Sequence, residues 1–362
     1  MTLQVCLYQR SFAAELATPR IAFAVERHSR RAIGGPHQAT ITATGDVAAL
    51  WELIEALRCP VEILDERGEA RWWGYVAEVE ARLEGIAVSV NLDRMANRVA
   101  VAYAYTTPDN TIGTRATTAY AQDDDSVAEY GTIERLESSS SDDTATAAAL
   151  RDSVLEALRW PQPQVRIEPG GGGLTVTLQC RGWWDTLRWR MYDNAGIDVV
   201  ETTTQVAEIV TSLGEFIEGM LIEDASGVSA IEYRDGDTNA QAEIVALLER
   251  GTSNGRRVLA EVTRERYLRL YEEPASGSSD YLLLADGSLH DAYDNPLPPG
   301  ACVAGVWARL KDILPASIDT TRLADPALVF IEESEWDEGA YRLGRIEPRG
   351  PSAMSLGEIE PV

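Results

Sequence analysis

Apolar and polar positions alternate through residues 37–44, HQATITAT, putting Ala39, Ile41 and Ala43 on one strand face and threonines on the other. The period then changes. From Val47 the apolar positions Val47, Leu50, Trp51, Ile54 and Leu57 recur at helical spacing. Asp46 is placed to cap that helix, and Pro60 forbids its continuation past Cys59. VEILD, a turn at Glu66–Glu69 and ARWWGYVAEVEARL follow as a hairpin. Gly85 breaks the second strand, and IAVSVNLD resumes with Ile86, Val88, Val90 and Leu92 on one face. A strand, a short helix, a hairpin and a return strand predict a small barrel or sandwich plugged by a helix over residues 1–105.

Residues 106–160 change character and read as an acidic loop and helical connector. Ser126 with Glu129 has the spacing of a capping box, with Asp123, Asp124 and Asp125 at the helix N-terminus, where the macrodipole favours negative charge. AALRDSVLEALRW, from Ala148, is an amphipathic helix that Pro161 ends. Residues 161–200 with 280–330 are expected to form a second β-barrel. In it PQPQVRI and LTVTLQC are strands joined by a hairpin at Gly170–Gly173, with Val176, Leu178 and Cys180 on one face. Residues 201–279 read as an inserted α+β lobe. It has helices at TTTQVAEIVTSLG and from Asp237 to Arg250, and a long strand through GRRVLAEVTRERYLRLYEE. Residues 331–362 read as an acidic, extended C-terminal tail. The expected fold class is therefore α+β and β-rich: two small barrels with an inserted α/β lobe.

Charge narrows the function. With 58 acids against 32 bases the formal charge is −26, which excludes duplex binding by general phosphate neutralisation. Lys311 is the one lysine; every other base is arginine. The N-terminal MTLQVCLYQRSF lacks the basic and apolar segments of a secretory signal, and no stretch is long enough for a membrane helix. The chain is expected to be made and folded in a cytosol.

Candidate chemistry is sparse. Cys6, Cys59, Cys180 and Cys302 lack any Cys-x-x-Cys spacing, and core thiols are the expectation for such scattered residues. His28, His37 and His290 stand alone. No nucleophile elbow, zinc-protease, P-loop or dinucleotide motif occurs, and the glycines at 170–173 precede a strand rather than a helix. Asp235, Asp237 and Asn239 match the opening of a calcium loop. Ala240 and Ala246 stand where its glycine and closing glutamate belong, so Asp237 reads as a helix cap. For the Asp123–Asp125 triplet a metal site is the sharper alternative to a helix start. The cluster Glu332, Glu333, Glu335, Asp337 and Glu338 reads as a solvated face. In Trp72-Trp73 and Trp183-Trp184, strand neighbours point to opposite faces, giving one core ring and one interface ring per pair. No catalytic, cofactor-binding or metal-ligating residue is assigned. An enzyme is not expected, and neither is a cofactor.

The order of segments carries a resemblance. GGPHQATITATGD, ALWELIEALRCPVEILDERGEARWWGYVAEVE and GIAVSVNLDRMANRV, followed by DDDSVAEYGTIE, resemble the first barrel and succeeding helix of phage tail hub proteins. AEIVALLERGTSNGRRVLAEVTRERYLRLYEEP and CVAGVWARLKDIL are similar to later segments of such proteins. The resemblance implies a structural component of a tail tip or baseplate: a central hub ring that closes the tail tube, connects it to tip or fibre proteins and lets DNA pass. The implied partners are further copies of the chain, the tail tube or distal tail protein, the tape measure protein and tip or fibre proteins. Sequence-specific nucleic-acid binding is not among the implied contacts. Two barrels per chain in a homotrimer would match a six-fold tube. The implied location is the tail tip of a virion assembled in the host cytoplasm, with exposed tryptophans and arginines at the contacts. The alternative is a cell-wall-degrading or carbohydrate-binding tail protein, resting on the tryptophans and carboxylates.

Overall fold

The computed structural model describes residues 3–106, 112–167, 172–223, 225–275, 280–284, 288–298, 300–311, 328–337 and 340–348. The chain opens with β1 (Gln4–Leu7), β2 (Ile21–Arg31), β3 (Ile33–Gly45), α1 (Val47–Glu52), β4 (Pro60–Leu64), β5 (Ala70–Leu83) and β6 (Ile86–Asn91). The alternation in β3 buries Ala39, Ile41 and Ala43 as expected. Asp46 caps α1, its carboxylate accepting from the Ala49 N–H at 3.1 Å. That helix is shorter than its periodicity predicts. After Glu52 it tightens into a 3-10 turn, which sends Leu50, Leu53 and Leu57 into the core and leaves Val47 and Trp51 exposed.

A second sheet is built around β7 (Arg98–Thr106), with β8 (Ile112–Thr117), β9 (Ala121–Gln122), α2 (Asp124–Tyr130), β10 (Glu134–Ser139) and α3 (Thr144–Leu158). Here β10 runs parallel to β7, and Ala147 of α3 packs on Val101 and Tyr103. The capping box is not realised. Asp123 caps α2 by accepting from the Ser126 N–H, and Ser126 lies buried in the helix with its hydroxyl donating to the Arg159 carbonyl.

Strand pairing crosses the expected domain boundaries. β11 (Gln164–Ile167) pairs with β6, while β12 (Thr175–Arg181) enters between β3 and β5, with Leu178 opposite both Ile41 and Val79. Its buried Val176, Leu178 and Cys180 extend the same apolar face. Two glycines permit the insertion. A Cβ at Gly74 would collide with the Arg181 carbonyl, and one at Gly182 with the Pro36 carbonyl.

The lobe follows, with β13 (Met191–Asn194), β14 (Val199–Glu201), α4 (Thr202–Leu213), β15 (Gly219–Glu223), β16 (Ser229–Ile231), β17 (Arg234–Asn239), α5 (Ala240–Leu248), β18 (Val258–Val262) and β19 (Tyr267–Glu272). Asn239, not Asp237, caps α5, accepting from the Ala242 N–H at 2.9 Å. The long strand expected through GRRVLAEVTRERYLRLYEE is a hairpin, turned where Arg266 adopts φ 65°. The lobe is not separate from the first unit: β18 lies parallel to β3, with Ala260 opposite Ile33.

The chain continues through β20 (Tyr281–Leu283), β21 (Leu289–Asp291), β22 (Val306–Leu310), β23 (Leu328–Asp337) and β24 (Ala340–Pro348). Residues 331–337 and 340–348 are therefore paired strand within the sheet rather than a loose tail. Leu328, Val329, Phe330 and Ile331 are buried in succession because β23 is packed on both faces, Leu328 and Phe330 with Ala32, Leu259 and Trp307, and Val329 and Ile331 with Leu283, Leu289 and Ala308. The rest of the tail, 349–362, lies outside the described residues.

One sheet of 16 strands results, its path running β1-β4-β5-β12-β3-β2-β23-β22-β20-β21. Among the described residues no ladder joins its two ends. A β-rich α+β fold is present, as expected, but among the described residues neither expected barrel is closed. Strands assigned to the second barrel lie apart, with β3, β2 and β23 between β12 and β22.

Candidate functional site

The polar faces of β2, β3, β12 and β5 line a groove of about 1150 Å³. Period-two alternation sends the core residues of these strands one way and Thr40, Gln179, Glu78 and Glu80 the other. Thr40 donates its hydroxyl to Gln179 Oε1 at 2.9 Å and accepts from Arg27 Nε at 3.2 Å. Glu80 pairs with Arg166 at 2.6 Å and with Arg82. Burial, then the charges of Glu80 and Asp93, hold the Glu78 carboxyl above its ordinary range. At one end Arg181 grips Asp93 with two bonds of 2.7 Å, while Asp185 accepts from the Tyr75 hydroxyl at 2.6 Å and from Arg188 Nε at 2.9 Å. Cys180 turns into the core, where burial pushes its thiol far up. The groove presents charged and hydrogen-bonding side chains along its length.

The residues singled out from sequence do not converge. Asp123 is a cap, and Asp235 accepts from the Asp237 N–H within β17. Among the described residues no group of three or more His, Cys, Asp or Glu side chains is arranged to hold a metal. His290 pairs with Asp294 at 3.1 Å in a surface turn. Glu332 and Glu333 are not merely solvated: they pair with Arg257 at 2.6 Å and Arg31 at 3.2 Å.

One juxtaposition escaped the sequence because 274 positions separate its members: Cys302 Sγ lies 3.6 Å from His28 Nδ1. Burial holds the His28 imidazole down at about 4 and pushes the Cys302 thiol up to about 12. Both groups are therefore neutral near pH 7, the opposite of an activated thiolate–imidazolium pair.

The two tryptophan pairs pack into the molecule, while Trp51 is exposed. Trp72 is fully buried, and Trp73 donates its ring N–H to the Val262 carbonyl at 2.9 Å, so that pair gives one core ring and one ring between β5 and the lobe. Trp183 and Trp184 are both buried because they stand on a 3-10 turn rather than a strand. Many arginines expected at neighbour contacts are paired within the chain, as Arg264 with Glu62 and Arg269 with Glu261 and Glu223. The large apolar side chains left outside include Ile167, Ile197, Val199, Ile231 and Tyr233 on or beside strands, with Val47, Trp51 and Leu150 on helices. Alternation alone does not distinguish such residues from core.

No family model matches the chain, and no curated protein does. Among solved structures the chain is similar to the 43 kDa tail protein of prophage MuSo2 from Shewanella oneidensis. That likeness covers 94% of each chain at 8% identity, with a TM-score of 0.43. Among the described residues no helix is long and apolar enough to cross a membrane.

Proposed function

We propose that the chain is a structural, non-enzymatic component of a phage tail tip or baseplate, forming a hub ring that closes the tail tube and lets DNA pass. The observation that carries this reading is the run of family-like segments from Gly34 to Gly131. Within it GGPHQATITATG forms β3, VEIL lies in β4, RWWGYVAEVE in β5, IAVSVN forms β6 and DDSVAEY forms α2. In this reading the chain assembles with copies of itself as a homotrimer, with the tail tube or distal tail protein, the tape measure protein and tip or fibre proteins. The burial of Trp72, Trp183 and Trp184 favours this reading over a carbohydrate-binding one that stacks sugars on those rings. The test is native mass spectrometry of the purified protein beside zymography on host cell wall. Trimeric rings without clearing of the wall are expected. Clearing that a point substitution abolishes would overturn the proposal.

A further inference from the structure

The segments 191–201 and 229–239 run antiparallel as two short ladders, β14 with β16 and β13 with β17, separated by an irregular stretch. One face of this ribbon is covered. Gln205 of α4 donates to the Val200 and Ala230 carbonyls at 2.9 and 2.8 Å, and Arg234 pairs with Glu243 of α5 at 2.5 Å. Period-two alternation turns the other side chains away from the helices. Val199 and Ile231 stand opposite each other there, 66% and 58% exposed, and the irregular stretch between the two ladders adds the exposed Ile197 at 81% and Tyr233 at 55%. Four large exposed apolar side chains within a few residues of one another on a narrow ribbon are a feature of the kind that marks a contact surface.

The rim of this patch is acidic. Asp193 faces Asp235 across the continuation of the ribbon, and both are exposed. Like charges directly opposite in a ladder are destabilising. A cationic group on a bound partner offsets that repulsion, whereas a second copy docked through the same face would set acid against acid.

We propose that the outer face of this ribbon docks a different protein, through a segment whose apolar side chains are flanked by lysine or arginine. The inference rests on this surface alone and stands whether or not the chain is a tail hub.

The test uses the full-length protein and two labelled amphipathic helical peptides of equal length, one of leucine and lysine and one of leucine and glutamate, followed by fluorescence anisotropy. The leucine–lysine peptide should bind and the leucine–glutamate peptide should not. Val199→Glu with Ile231→Glu alters exposed positions and adds negative charge, so general attraction of a cationic peptide to an acidic protein would strengthen. The patch instead predicts binding weaker by about tenfold. Asp193→Asn with Asp235→Asn should weaken binding severalfold and flatten its salt dependence. Unchanged or tighter binding to the double glutamate variant overturns the proposal, as does equal binding of both peptides. Sedimentation gives a further contradiction: self-association of the wild type that the double glutamate variant abolishes would make the face a contact between copies.

Discussion

At the scale of single residues, the buried His28 gives the fold a pH dependence. Its ring stacks on Trp336 with centroids 5.5 Å apart, and its Nε2 has no hydrogen-bond partner. Protonating it in place would bury an unpaired charge, so its pKa falls from an ordinary 6.5 to about 4, chiefly through burial. Between those values the unfolded chain takes up a proton that the native chain refuses. Stability is therefore intact above pH 6.5 and falls as pH drops towards 4, by about 3 kcal/mol for this group. His37 is held down to about 4 in the same direction, by burial and then by Arg31 and Arg181. Urea titrations from pH 7 to 4 should show the midpoint falling, and His28→Phe should flatten that slope while leaving the His37 part. An unchanged slope in the variant would contradict this account.

At the scale of elements, caps and close approaches make separate predictions. Asn239→Ala removes the side-chain acceptor at the start of α5 and should cost about 1 kcal/mol. Gly182→Ala forces a methyl against the Pro36 carbonyl where β12 joins β3, and should cost about 1–3 kcal/mol by chemical denaturation. A stability within error of wild type would mean that the β12 junction is looser than described. These elements also show what the sequence made legible. Local signals succeeded: Asp46 as cap, the buried faces of β3 and β12, and α4 all follow from short-range periodicity and turn chemistry. Long-range pairing did not, because alternation marks a strand without naming its neighbour. Nothing in LTVTLQC specifies both Ile41 and Val79 as partners of Leu178. The acidic residues of IEESEWDE masked a strand whose apolar start, LVFI, is buried on both faces. The candidate site was the least legible part. The groove depends on four strands meeting in register, and the ribbon patch depends on helices covering only one of two alternating faces.

At the scale of the whole molecule, charge and assembly meet. The −26 of one chain becomes about −78 in three copies, screened beyond roughly 8 Å at physiological salt. Arginines committed to internal pairs, such as Arg181 with Asp93 and Arg257 with Glu273, are not available as a continuous phosphate-binding surface. The purified protein should therefore show no retention of duplex DNA at physiological ionic strength, and tight salt-sensitive binding in a gel-shift assay would contradict a passive channel. The central claim is that this chain builds the ring at the end of a tail. It is tested most directly by a cryo-EM reconstruction of the tail tip of the particle that carries it. Three copies are expected around the tail axis, closing the tube with an acidic channel wall. Six copies would contradict the trimer, a channel lined mainly by arginine would contradict the passage of DNA proposed here, and a tip without this chain would contradict the function itself.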